Sequence, residues 1–125
     1  MDLRLSHLTD RIIGLAIEVH RTLGPGLLES VYEECLAHEL TLADIPFQRQ
    51  VNQPVVYKDV HLDCGYRMDL VVDDAVVVEL KTVEKLLPIH DAQLLTYLRL
   101  SGHSVGLLLN FNTPVLKNGL KRFVL

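Results

Sequence analysis

Between Leu8 and Leu23 the apolar residues Ile12, Ile13, Ala16, Val19 and Leu23 recur at every third or fourth position, and Gly24-Pro25 follows. That spacing gathers them on one side of a helix, which the Gly-Pro pair stops. A second stripe of Leu28, Val31, Tyr32, Cys35, Leu36 and Leu40 predicts another helix ending before Pro46, with Glu33, Glu34 and His38 largely off it. Beyond Pro46 the period drops to two. From Val60 to Asp73 the even positions Val60, Leu62, Cys64, Tyr66, Met68, Leu70 and Val72 are all apolar, while the odd ones include His61, Asp63, Arg67, Asp69 and Asp73. This predicts one long strand with one apolar face. Val55 and Tyr57 continue that face if they pair with Leu62 and Val60 across a Lys58-Asp59 turn. Val76, Val78 and Leu80 continue it on the other side, giving a three-stranded antiparallel meander. After Pro88 residues 89–101 return to helical spacing and Gly102 ends them. The run Val105-Gly106-Leu107-Leu108-Leu109 fits a strand buried on both faces. A last piece, Arg122 to Leu125, adds an edge strand. The predicted order is ααβββαβ with a terminal β, an α/β fold in which helices flank a mixed sheet.

Composition narrows the class. With 125 residues, 49% of them hydrophobic, the chain can form one domain over residues 1–125 without a disulfide framework or structural metal. Cys35 and Cys64 form no C-x-x-C pair and read as reduced, buried thiols. The segment Met1 to His7 has no apolar signal core, and no uncharged apolar run approaches the roughly 18 residues of a membrane span. A cytoplasmic location is therefore expected. Twelve Lys and Arg against sixteen Asp and Glu give a net charge of -4, which argues against binding nucleic acid by bulk electrostatics. Lys117, Lys121 and Arg122 still form a local cationic patch near the C-terminus, either a solvated face or a phosphate contact.

The residues with chemical potential are Asp69, Glu79 and Lys81. Glu79 and Lys81 are two apart, so in a strand they share a face about 7 Å apart along it. The position of Asp69 depends on the turn. A two-residue Asp73-Asp74 loop pairs 69 with 78, whereas a three-residue loop through Ala75 pairs 69 with 79. Only the second gathers Leu70, Val72, Val76, Val78 and Leu80 on one buried face. It also sets two carboxylates about 5 Å apart at Cβ, where they repel each other. A divalent cation resolves that conflict, and Mg²⁺ commonly takes one or two protein carboxylates and fills its other positions with water and phosphate oxygens.

Asp69 followed by Glu79-Leu80-Lys81 resembles the D…(D/E)-x-K signature of the PD-(D/E)XK nuclease superfamily. Gly26-Leu27-Leu28-Glu29-Ser30-Val31-Tyr32 resembles the G-x-x-E-x-x-Y motif of a small family assigned to it, and Gln93-Leu94-Leu95-Thr96-Tyr97 is similar to the Q-x-x-x-Y motif of its RecB-like branch. Met68 stands where the superfamily often has proline. The resemblance implies a restriction-endonuclease-like αβββαβ core and a Mg²⁺-dependent nuclease, with Mn²⁺ as substitute. It further implies Asp69 and Glu79 as metal ligands, Glu29 as a ligand or one acting through water, and Lys81 as catalytic. Gln93 and Tyr97 would share a helix face and approach the site from the other side. The expected partner is nucleic acid, DNA ahead of RNA, held weakly and lost as salt rises, with a homodimer or partner protein supplying further contacts.

Competing readings remain for each residue. Glu29 is also favoured at a helix start by the macrodipole, Tyr32 reads as core, Gln93 as surface, and Asp73 and Asp74 as turn residues. A non-catalytic protein that keeps the fold to bind nucleic acid or a protein partner is the alternative function. A zinc or iron site is poorly supported, since the six histidines show no paired ligand spacing.

Overall fold

The computed structural model describes residues 5–125. Met1 to Arg4, part of the segment read above for a signal core, lie outside the described residues. Helix α1 (Ser6–Leu23) buries Ile12, Ala16 and Val19, and α2 (Glu29–Leu42) buries Tyr32, Leu36, Ala37 and Leu40. Gly24 ends α1 with φ 72°, a conformation open to glycine at little cost.

Strands β1 (Phe47–Asn52), β4 (Arg67–Val72), β5 (Val76–Lys81), β6 (Val105–Asn110) and β7 (Leu120–Val124) form a five-stranded sheet in the order β1-β4-β5-β6-β7. All neighbours are antiparallel except β5 and β6, which helix α3 (Pro88–Ser101) joins by a crossover. Helices α1 and α2 cover one face through a core that includes Ile12, Leu36, Leu70, Val78, Leu107 and Phe111. Helix α3 covers the other, packing Leu94, Tyr97 and Leu98 on Met68, Val71, Val77 and Leu108. β5 and β6 lie at the centre, and every residue of β6 is buried. That is why Val76-Val77-Val78 and Leu107-Leu108-Leu109 are unbroken apolar runs. Truncating the fully buried Leu107 to alanine would cost about 2–5 kcal/mol. This mixed sheet between helices is a restriction-endonuclease-like fold.

The meander differs from the sequence expectation. The Val55/Leu62 and Tyr57/Val60 pairs form as expected, across Lys58 and Asp59 with φ 47° and 68°. They make a separate hairpin of β2 (Val55–Tyr57) and β3 (Val60–Leu62). The long strand from Val60 to Asp73 is broken at residues 63–66, where Gly65 turns the chain with φ 75°. The place beside β4 belongs instead to Phe47–Asn52. Val60, Leu62 and Tyr66 therefore stay exposed, and so does Cys64, contrary to the buried thiol expected.

The cationic patch also dissolves. Lys121 and Arg122 are neighbours in β7, so their side chains leave opposite faces of the sheet. Lys121 pairs with Asp91 of α3 at 3.1 Å, and Arg122 donates to Thr9 Oγ1 of α1 at 3.3 Å. Among the described residues no helix is long and apolar enough to cross a membrane.

Candidate active site

β4 and β5 pair from Val72/Val76 to Leu70/Val78 across Asp73-Asp74-Ala75, the register that aligns position 69 with 79. One step further the strands part and side chains replace the ladder. The Asp69 amide donates to Glu79 Oε1 at 3.1 Å, and the Leu80 amide donates to Asp69 Oδ2 at 2.8 Å. Inside-outside alternation slips here, because Met68 packs with the α3 core and Leu70 with the α1/α2 core. Asp69 leans into the gap as a result and lines a cavity of about 440 Å³ on the α2 side, with Glu29, Glu33 and Gln50. Glu79 and Lys81 share the strand face of Val77, which packs in the α3-side core, and so point toward α3.

Glu79 is 4% exposed. Burial first, then the charge of Asp69 and a hydrogen bond between the two carboxyls, push its pKa up to about 9. At neutral pH the metal-free protein thus resolves the like-charge conflict with a proton. Neither Asp69 nor Glu79 forms an ion pair with Lys or Arg among the described residues. Loss of water also raises Glu29 at the cavity mouth, where Lys81 opposes the shift and Asp69 adds to it. Tyr97 is raised by burial and by Glu79.

Lys81 Nζ donates to Gln93 Oε1 at 3.4 Å, and Gln93 Nε2 donates to the Tyr97 hydroxyl at 3.2 Å. The two α3 residues are one turn apart and act as a strut behind the ammonium. Sequence reasoning missed a second support. Asn110 lies opposite Lys81 in the parallel pair and is buried. It accepts from the Val83 amide at 3.1 Å and donates to the Val83 carbonyl at 2.8 Å, while Phe111 N–H donates to the Lys81 carbonyl at 2.9 Å. The chain leaving Lys81 is thereby clamped.

Glu29 owes its place to Tyr32, which is core as expected. The Tyr32 ring stacks on Phe111 at 4.5 Å between centroids. Its hydroxyl donates to the Gly24 carbonyl at 2.6 Å and accepts from the Leu27 amide at 3.2 Å. These bonds tie down the loop in which Gly26 has φ 100° and after which α2 begins at Glu29. Glu33, one turn later, is buried rather than off the stripe. Arg49 donates to it at 2.8 Å and Gln50 at 2.6 Å, and Gln50 also reaches Asp69 Oδ1 at 3.4 Å. The i, i+4 spacing of Glu29 and Glu33 was the available signal.

Among the described residues no three His, Cys, Asp or Glu side chains gather to hold a metal ion by themselves. Direct ligation by Asp69, Glu79 and Glu29 together is therefore not preassembled. Two adjoining carboxyls without a cationic partner suit Mg²⁺, which needs few protein oxygens. Three of the six histidines are occupied elsewhere: His20 bonds the Thr113 carbonyl, His90 accepts from the Leu87 amide, and His103 meets Asp74.

The family model of the PD-(D/E)XK nuclease superfamily matches residues 6–123. No curated protein and no solved structure matches the chain. With nearly the full length matched, the chain belongs to the PD-(D/E)XK nuclease superfamily.

Proposed function

We propose that this protein is a divalent-metal-dependent nuclease that hydrolyses phosphodiester bonds of nucleic acid. The observation that carries the reading is the Asp69–Glu79 pair in the gap between β4 and β5, with Lys81 two residues on. Asp69 and Glu79 would hold Mg²⁺ or Mn²⁺, with Glu29 acting through water. The ion would supply charge neutralisation and an activated water. Glu79 gives up its proton when the site is loaded. Lys81, steadied by Gln93 and Tyr97, orients the attacking water and stabilises charge developing on the phosphate oxygens. We place the chain in the GxxExxY group on the division of labour in Gly26, Glu29 and Tyr32: a left-handed turn, the acid at the cavity and the staple between them.

A second reading keeps the fold without turnover. It is favoured by one observation, that both carboxyls accept backbone N–H bonds and so serve the sheet itself. Incubation with single- and double-stranded DNA and RNA plus Mn²⁺ decides between them. Cleavage by wild type that is lost in Lys81→Ala supports the nuclease. Equal cleavage by both proteins, or none by either, overturns it.

A further inference from the structure

The candidate site opens onto two surfaces of different chemistry. On the α2 side the cavity is walled by the carboxyls of Glu29, Glu33 and Asp69. On the α3 side a groove of about 520 Å³ runs between the β2–β3 hairpin and α3, and no Asp, Glu, Lys or Arg lines it. Its walls are Val55 and Tyr66 on one flank and Ile89, Gln93, Tyr97 and Leu100 on the other. Gln93 and Tyr97 belong to both the groove and the strut behind Lys81, so the groove begins one hydrogen bond from the ammonium.

We propose that this groove is a nucleobase subsite, taking an unpaired base next to the phosphodiester at Lys81, so that the substrate is single-stranded nucleic acid or an unpaired end. The proposal rests on the nuclease reading above and narrows its substrate. With a net charge of -4 and its C-terminal cations spread over opposite sheet faces, the protein has little to hold a phosphate backbone. Affinity must then come from the bases. The groove has the composition for it: mostly apolar, with Gln93, Thr96 and His90 to meet a base edge. Tyr66 is 48% exposed although its ring sits edge-on to buried Tyr97 at 6.4 Å, and Ile89 on the opposing flank is 67% exposed. An aromatic ring and an aliphatic side chain facing one slot can sandwich a base, and stacking of this kind tolerates any sequence. Bases inside a duplex are already stacked and do not reach such a slot.

The test is fluorescence anisotropy of short labelled oligonucleotides with the intact protein in Ca²⁺, using DNA and RNA versions of each. Three forms are compared: single-stranded, fully duplex, and single-stranded with abasic positions. The expected result is binding of the single strand about tenfold tighter than the duplex or the abasic strand. That preference should be lost in Tyr66→Ala and in Ile89→Ser, two exposed positions, with thermal melts showing that both fold. The DNA and RNA arms tell which sugar is accepted. Equal binding of all three forms, or variants that bind like wild type, overturns the subsite. A dimer in light scattering that Tyr66→Ala dissociates, with oligonucleotide binding unchanged, assigns the groove to a second copy instead. Cleavage in Mn²⁺ that depends on Lys81 but ignores pairing and abasic positions would overturn the subsite alone; absence of any cleavage or binding would overturn both readings.

Discussion

Asp69 and Glu79 bridge the parted strands in opposite directions: the Asp69 amide donates to Glu79 Oε1 at 3.1 Å, and the Leu80 amide, next to Glu79, donates to Asp69 Oδ2 at 2.8 Å. Burial and the Asp69 charge favour the protonated form of Glu79, so metal and proton compete for this pair of groups.

Metal binding should therefore release close to one proton at neutral pH. Calorimetric titration of Mn²⁺ in buffers of different ionisation enthalpy measures it, and affinity should rise as pH approaches 9, the value near which Glu79 titrates. Heats identical in all buffers would rule out proton displacement from Glu79.

Stability of the metal-free protein should fall with rising pH. The Glu79 pKa lies above its unfolded value, from 4.5 to about 9, so the folded state binds the extra proton across that window. Its stabilisation is complete below pH 4.5 and lost as pH rises toward 9. Relative to acid, the loss at neutral pH is on the order of 3–4 kcal/mol. Glu79→Gln keeps an uncharged acceptor, so its melts in chelator should show a flatter pH dependence and no loss of stability at neutral pH. It should also no longer bind Mn²⁺.

Gln50 is a positioning residue for Asp69. It has φ 50° and links Glu33 to Asp69, so Gln50→Gly removes the tether while tolerating the backbone. Mn²⁺ affinity should drop about tenfold, the scale for groups that orient a ligand. The melt in chelator should change by less than about 1 kcal/mol. An unchanged Mn²⁺ affinity would reduce the Glu33–Gln50 contact to a tie between α2 and β1.

Tyr32→Phe keeps the stack on Phe111 and deletes the bonds to Gly24 and Leu27. Two backbone groups lose their partner, so the cost should be about 1–3 kcal/mol. Activity should fall further than Mn²⁺ affinity, because Glu29 moves while Asp69 and Glu79 stay.

Most elements were legible because helix and strand periods differ, and the Asp69/Glu79 register followed from which turn length buries Leu70, Val78 and Leu80 on one face. Phe47-Gln48-Arg49-Gln50-Val51-Asn52 was not legible as a strand. It lies at the sheet edge with four residues exposed, so it carries too little apolar pattern. The hairpin misled in the opposite sense, since its apolar alternation continued that of β4 although a turn at Gly65 separates them. Glu33 lies largely off the apolar stripe of α2 in the sequence, and what buries it, Arg49, lies sixteen residues away, beyond the reach of a helical pattern. The slip at Asp69 could not be read from a strict period of two.

The parting of β4 and β5 bears on how relatives of this chain should be judged. Each carboxyl there accepts a main-chain N–H, so a lineage that lost turnover would still be selected to retain a side-chain oxygen acceptor at both positions to keep the sheet intact. Lys81 Nζ instead donates to the Gln93 side-chain amide of α3 and not to a strand backbone. Drift after loss of chemistry would strike the lysine first. Position 81, rather than the acidic pair, is where a living enzyme and an inactive descendant should differ.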